Sequence, residues 1–326
     1  LARAEEIDDA TLDTIADSLG PDDIADFIYT SGTTGPPKAV MLTHENLSWT
    51  ADALAKVVPS GPEDVMLSYL PLSHIAEQTA TIHLAITNGY QVYYCPDGLK
   101  LAEYLREVQP TVFFGVPRVW ERFASVVTDN LSQATGAKAK ITEWAQSVGR
   151  KTTELRNRGE SASGLLAIQQ TIAEKLFFGK VREAMGLTRQ RALISGAAPI
   201  PPSTLDFFAS LDMTILEIYG QSEDTGPTTT NRPGAVKYGS VGQPIDGVEV
   251  TLADNDEILV RGKNVFAGYY KNEGATAETL IDGWLQSGDL GRFDDDGFLY
   301  ITGRSKDIII TSGGKNISPS EIENSL

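Results

Sequence analysis

Residues 29–38 read Tyr29-Thr30-Ser31-Gly32-Thr33-Thr34-Gly35-Pro36-Pro37-Lys38, and this stretch decides the fold class. Two apolar runs flank it, 26–30 (DFIYT) and 38–42 (KAVML). Both predict strands, joined by a turn of hydroxyls and glycines. Glycines let backbone N–H groups approach a bound anion, Thr30, Ser31, Thr33 and Thr34 add donors, and Lys38 adds positive charge. The chemistry is that of a phosphate-binding loop. It differs from the nucleotide P-loop, which has glycine directly before the lysine and Ser or Thr after it; here Pro37 and Ala39 stand in those places. A plain polar hairpin turn is the competing reading.

Outward from this loop, apolar runs alternate with helical spacing. Leu47, Ala51, Leu54 and Val58 lie on one helical face. The runs near 65–71 and at 90–95 (YQVYYC) predict buried strands, with a helix from His74 to Thr87 between them. A helix at 101–108 ends at Pro110, strands follow at 111–116, 191–195 and 214–219, and a helix starts after Pro202. Alternation of this kind predicts a mostly parallel sheet covered by helices. Residues 118–186 interrupt it as a charged helical insertion, broken near Arg158-Gly159 and Ser163-Gly164. From about 243 the chain turns β-rich, with hairpins at 248–262 and 291–303 turned by Asp254-Asn255-Asp256 and Asp296-Gly297. A strand at 307–311, a Gly-rich loop at 312–316 and a helix start with a Ser318/Glu321 capping box close the sequence.

The 326 residues carry 27 Lys plus Arg against 44 Asp plus Glu, a net charge of −17. That balance opposes a nucleic-acid coat, which needs a basic face, but leaves room for a locally positive pocket. At 41% hydrophobic residues the chain can build a sizeable core. The single cysteine, Cys95, excludes an intrachain disulfide and a cysteine-built metal cluster, and suits a reducing, cytoplasmic compartment. No stretch approaches the ~20 apolar residues of a membrane span, and no signal-peptide pattern is read. The sequence opens on Leu1 and closes on Leu326 after only a short piece of helix, so the expectation is a fragment of a longer chain.

The decisive stretch resembles the phosphate-binding signature of the adenylate-forming superfamily, which includes acyl-CoA synthetases, luciferase and peptide-synthetase adenylation domains. Five further segments resemble that superfamily's signatures in the same order. Ser195-Gly196-Ala197-Ala198-Pro199 matches the loop flanking adenine. Tyr219-Gly220-Gln221-Ser222-Glu223 matches the next, with the aromatic on adenine, Ser222 at phosphate, and Glu223 with Thr30 at Mg²⁺. The family usually has Thr where Ser222 stands, and the hydroxyl is kept. Ser287-Gly288-Asp289 matches the ribose-binding aspartate, and Gly303-Arg304-Ser305-Lys306-Asp307 the hinge, with Arg304 toward ribose or phosphate and Lys306 as pivot. Finally, Ser312-Gly313-Gly314-Lys315-Asn316 matches a loop that serves thiol transfer. Taken singly, these segments also read as a core tyrosine, a strand-to-helix turn, a hairpin aspartate and a basic surface turn; their shared order favours the family.

Tyr69-Leu70-Pro71-Leu72-Ser73-His74 and Gly115-Val116-Pro117-Arg118-Val119-Trp120 resemble the long-chain fatty-acid:CoA ligases. There the histidine lines the acyl site and the aromatic gates the acyl tunnel; structural roles for His74 and Trp120 are the alternatives. The helical insertion, through Lys175 to Gly186, also resembles the long-chain branch, and Gly226-Pro227-Thr228-Thr229-Thr230-Asn231 looks most like the bubblegum-type ligases. An apolar helical face in the insertion could touch a membrane or pack on the sheet.

The resemblance implies an α/β large domain (αβαβα layers, parallel-rich sheets, a β-rich barrel subdomain) over 1–303. A small α+β domain would begin at the hinge, 304–326. It implies ATP, Mg²⁺ and coenzyme A as co-substrates of fatty-acid activation, with Lys38, Glu223 and His74 in the chemistry. The superfamily's adenylation lysine lies beyond Leu326, and a long region precedes the phosphate loop in relatives. The expectation is therefore that this fragment does not complete adenylation. An adenylate former that loads a carrier protein, and a non-catalytic nucleotide-binding module, are the other readings.

Overall fold

The computed structural model describes residues 8–30 and 36–307, and the backbone of 309–310 and 316–317. The chain begins with helix α1 (Asp9–Ser18), then the antiparallel pair β1 (Ile24–Thr30) and β2 (Lys38–Thr43), in which Thr30 faces Lys38. Helix α2 (His44–Val57) starts directly after β2 because Thr43 and Asn46 form a reciprocal cap, each side chain accepting the other's backbone N–H. There follow β3 (Val65–Ser68), α3 (Ile75–Gln78), a π-helical turn at 79–83, α4 (Leu84–Asn88), β4 (Gln91–Tyr94), α5 (Leu101–Val108) and β5 (Val112–Gly115). The insertion is α6 (Pro117–Ser132), α7 (Ala137–Asn157), α8 (Gly164–Ala173), a second π-turn and α9 (Gly179–Met185). Then come β6 (Ala192–Ser195), α10 (Pro202–Ser210) and β7 (Ile215–Tyr219). The last part holds β8 (Thr229–Thr230), β9 (Gln243–Pro244), β10 (Glu249–Leu252), β11 (Glu257–Arg261), β12 (Gly268–Tyr269), α11 (Glu273–Thr279), β13 (Leu280–Ile281), β14 (Trp284–Phe293) and β15 (Leu299–Arg304).

The fold is the expected α/β class. A seven-stranded sheet has the order β4-β3-β5-β6-β7-β8-β9, parallel from β4 to β7. Antiparallel β8 and β9 extend it. The β-rich part is antiparallel throughout: β10-β11-β14-β13 with β15 on β14, and a separate β1-β2-β12 sheet. Among the described residues, parallel pairing is confined to the one large sheet.

Alternate residues of β5 feed opposite faces of that sheet. Phe113 joins Trp120, Phe178, Leu205 and Phe208 in the larger core, while Phe114 joins Met66 and Tyr90 on the other side. The insertion belongs to the first of these layers. Helix α7 lies so close to α10 that a side-chain carbon at Gly149 would sit 2.3 Å from the Ser210 carbonyl oxygen. Thr153 donates to the Ala209 carbonyl at 3.1 Å across the same contact.

One expectation fails. The run at 90–95 reads as a buried strand, yet β4 is the sheet's edge, and Tyr93 and Tyr94 are 48% and 63% exposed. Among the described residues only β3 pairs with it.

The strand order contains a switch point. From β3 the chain crosses to β4 on one side, then to β5 on the other. Loops leaving β3 and β5 diverge there, and in open α/β sheets ligands bind in the crevice so formed, at the carboxyl ends of the strands.

Candidate active site

Four sequence-predicted segments leave the carboxyl ends of the central strands. His74 follows β3, Trp120 follows β5, residues 196–199 follow β6 and residues 220–223 follow β7. The geometry of the last two turns is forced by close packing. At Gly196 a side-chain carbon would lie 2.6 Å from Ile218 Cγ2, and Ala197 takes a left-handed φ of 69°. At Gly220 it would lie 1.4 Å from the Gly226 carbonyl oxygen, so only glycine fits. Ala197, Ala198 and Pro199 are exposed. The Ser195 hydroxyl is buried without a hydrogen-bond partner.

Below the 220–226 turn lies a buried polar layer. The Gln221 N–H donates to Asp224 Oδ1 at 2.6 Å, Thr225 donates to the Asn264 carbonyl at 2.6 Å, and Asn264 Nδ2 donates to the Asp224 carbonyl and to Thr228 Oγ1, both at 3.2 Å. Asp224, Thr225, Thr228 and Asn264 are all fully buried. Burial pushes the Asp224 carboxyl well above the usual carboxylate range. This layer fixes the turn so that Ser222 and Glu223, the next residues outward, stay half-exposed.

Two clusters carry the polar chemistry. In the first, Asp289 of β14 is buried and receives three donors. Tyr219 Oη and Gln221 Nε2 donate to Oδ2, each at 2.9 Å, and Arg304 Nε donates to Oδ1 at 3.0 Å. Arg304 faces Asp289 directly across the β14–β15 pair. Burial, reinforced by the Asp289 and Asp224 carboxylates, pushes the Tyr219 phenol far up, so it stays a donor.

In the second cluster, Lys38 and Glu223 meet through Tyr269. The Lys38 ammonium lies 4.6 Å from the centre of the Tyr269 ring, and Tyr269 Oη donates to Glu223 Oε1 at 2.8 Å. Sequence reading overlooks Tyr269, Asp224 and Asn264. The only local hint is a second acid beside Glu223; the rest depends on contacts between distant segments.

The remaining site residues are placed as follows. Thr30 sits at the hairpin base, its hydroxyl 3.5 Å from the Lys38 carbonyl oxygen. His74 is exposed and caps α3, its Nδ1 accepting the Ala76 N–H at 3.2 Å, which leaves Nε2 outward. Trp120 is fully buried in the larger core, with Nε1 donating to the Gly115 and Ile194 carbonyls at 2.8 and 3.3 Å. Lys306 is exposed in the turn after β15. Ser31, Gly32, Thr33, Thr34, Gly35, Gly313, Gly314 and Lys315, and the cap at Ser318 and Glu321, lie outside the described residues.

The donor set suits a magnesium–nucleotide rather than a protein-held ion. No group of three or more His, Cys, Asp or Glu gathers among the described residues. Glu223 is half-exposed, and only its Oε1 is held by Tyr269. Mg²⁺ typically takes one or two carboxylates together with substrate phosphates and water.

Comparison with known proteins agrees with this picture. The long-chain-fatty-acid–CoA ligase ACSBG2 of Xenopus laevis is 43% identical over 335 residues, covering 99% of this chain and 45% of the relative. ACSBG2 of Gallus gallus is 42% identical over 339 residues, covering 100% and 44%. The chain thus spans about half the length of the curated relatives it matches. Among solved structures, O-succinylbenzoate coenzyme A synthetase from Bacillus subtilis, in complex with ATP and magnesium ion, superposes with a TM-score of 0.68 at 25% identity. That match covers 94% of this chain and 55% of the other. The model of the AMP-binding enzyme family matches residues 2–270, most of the sequence, and the chain belongs to that family.

Proposed function

We propose that the protein is an ATP-dependent long-chain fatty-acid:CoA ligase. The observation that carries this reading is the gathering of Lys38, Tyr269 and Glu223 in one cluster, and of Tyr219, Gln221, Asp289 and Arg304 in a second. The relatives named above supply the acid and the thiol.

A carboxylate resists attack because its leaving group would be oxide. Transfer to the α-phosphorus of ATP makes it a mixed anhydride: the acid's oxygen bonds to phosphorus and pyrophosphate leaves. The acid is ionised at pH 7, so no general base is needed. The ribose hydroxyls donate to Asp289, adenine lies between the Tyr219 ring and residues 196–199, and Ser222, Thr30 and the 31–35 loop receive the phosphates. Lys38 faces the charge that spreads over the phosphates in the displacement. Glu223 and Thr30 would hold Mg²⁺, which when bound neutralises the same charge. The acyl group lies toward the switch-point crevice, past His74.

The coenzyme A thiol then attacks the acyl carbon and AMP leaves. Lys306 is the pivot about which 304–326, as the start of a small domain, moves against 1–303. The 313–315 loop serves this second step. The reading puts the enzyme in the cytoplasm. The exposed stripe of Leu165, Ile168, Ile172 and Leu176, at helical spacing, supports a peripheral contact with lipid. Among the described residues no helix is long and apolar enough to cross a membrane.

Titration of the full-length protein with a non-hydrolysable acyl-sulfamoyl-adenosine tests the reading. Saturable binding is expected; no binding would overturn it.

A further inference from the structure

We propose that Tyr269 is a positioning residue that couples Glu223 to Lys38 and so sets how strongly Mg²⁺ tightens the binding of ATP. This rests on the site reading above, and Tyr269 belongs to none of the segments that suggested it.

The coupling begins in the backbone. Residues 266–270 are clamped between the two elements that carry Glu223 and Lys38. The Phe266 N–H donates to the Glu223 carbonyl at 2.9 Å, and the Tyr270 N–H donates to the Ala39 carbonyl at 2.9 Å. Between these anchors β12 pairs with β2, Tyr269 opposite Val40. The strand reaches this position only because Gly268 has no side chain: its φ is 130°, and a Cβ there would lie 2.8 Å from Thr276 Cγ2. Thr276 Oγ1 in turn accepts the Tyr269 N–H at 2.9 Å.

Side chains repeat the clamp. The Tyr269 ring is buried against Phe266 and offers a face to the Lys38 ammonium at 4.6 Å. Its hydroxyl holds one oxygen of Glu223 at 2.8 Å, which leaves the other to engage a metal. A lysine carries four rotatable bonds and a glutamate three, so each loses freedom when it engages a ligand. One rigid ring constrains both beforehand. The hydroxyl acts on the metal ligand and the ring on the phosphate ligand, so the two functions are separable by substitution.

The test is calorimetric titration of ATP into the full-length protein, with and without MgCl₂. Tyr269→Phe keeps the ring and loses the hydroxyl. The expected result is a metal-free affinity near that of wild type, while the gain on adding Mg²⁺ falls about tenfold, the size of one hydrogen bond to a charged group. In a Glu223→Gln background the same substitution should change nothing further. Tyr269→Leu, which also loses the ring, should weaken metal-free binding as well. A purely structural role would lower both affinities of Tyr269→Phe equally, and that result overturns the proposal. So does an undiminished Mg²⁺ effect. If wild type binds no ATP under either condition, the site reading itself is overturned, and this proposal with it.

Discussion

Tyr219, at the end of the central strand β7, donates its hydroxyl to Oδ2 of Asp289 on β14, at 2.9 Å. The bond joins the parallel sheet to the β-rich part of the chain. Because Gln221 and Arg304 hold the same carboxylate, the aspartate is fixed before any ligand arrives. Tyr219→Phe should cost about 1–2 kcal/mol in urea unfolding, the loss of a hydrogen bond to a buried charge. Asp289→Asn should weaken ATP binding about tenfold or more in calorimetry, since the amide cannot accept as two carboxylate oxygens do. Unchanged affinity in Asp289→Asn would remove Asp289 from the nucleotide site.

Glu217 gives a pH prediction. It is buried on β7, its Oε2 accepts the Gly239 N–H at 3.0 Å, and burial pushes its carboxyl from 4.5 up to about 8. Between those values the folded chain holds a proton that the unfolded chain has released. Stability is therefore greatest below the lower value and declines as pH rises toward the upper one, by at most about 1.4 kcal/mol per unit. Glu217→Gln carries no such proton. The Tm of wild type minus that of the variant should fall between pH 6 and pH 8 in thermal scans. A difference constant over that range would show that Glu217 does not titrate there.

At Gly220 the Gly226 carbonyl occupies the space of a side chain. Gly220→Ala must displace backbone on both arms of the turn that carries Glu223. A stability loss of about 2–4 kcal/mol and a loss of nucleotide binding are expected, read by urea unfolding and calorimetry. An alanine variant that binds ATP normally would mean the turn does not position Glu223.

Trp120 touches Phe113, Phe123 and Phe208 edge-on and is closed over by Gly115, where a side-chain carbon would lie 2.7 Å from the ring. Trp120→Ala should cost about 3–5 kcal/mol. A loss under about 1 kcal/mol would mean the ring is loosely held, as a freely swinging gate would be.

The strands and helices that frame the site were largely legible because their apolar spacing follows from local periodicity. Strand β2 and helix α2 lie where Val40, Leu42, Leu47 and Ala51 predict them, and those side chains are buried. Edge position is not local. The apolar run containing Tyr93 and Tyr94 fits a central strand, and only the sheet order makes it an edge. The helix expected from His74 to Thr87 is helical but passes through a π-turn at 79–83, which no spacing of its residues announces. Candidate site residues are readable where chemistry is written in consecutive letters, as at 219–223. Tyr269 and Asn264 are not, because they meet Glu223 and Asp224 from about forty residues away in sequence. Their neighbours on the chain, Phe266 and Tyr270, give no reason to single them out.

The most direct measurement is ATP- and Mg²⁺-dependent hydroxamate formation by the full-length protein over acids from acetate to twenty carbons. Trapping with hydroxylamine reads the activated acyl group without requiring coenzyme A. Turnover should be absent with acetate and rise to a maximum among the long-chain acids, with Lys38→Ala and Glu223→Ala each lowering it by at least about a hundredfold, the loss typical of removing transition-state charge stabilisation. Acid-independent ATP turnover, or activation confined to acetate, would contradict the assignment.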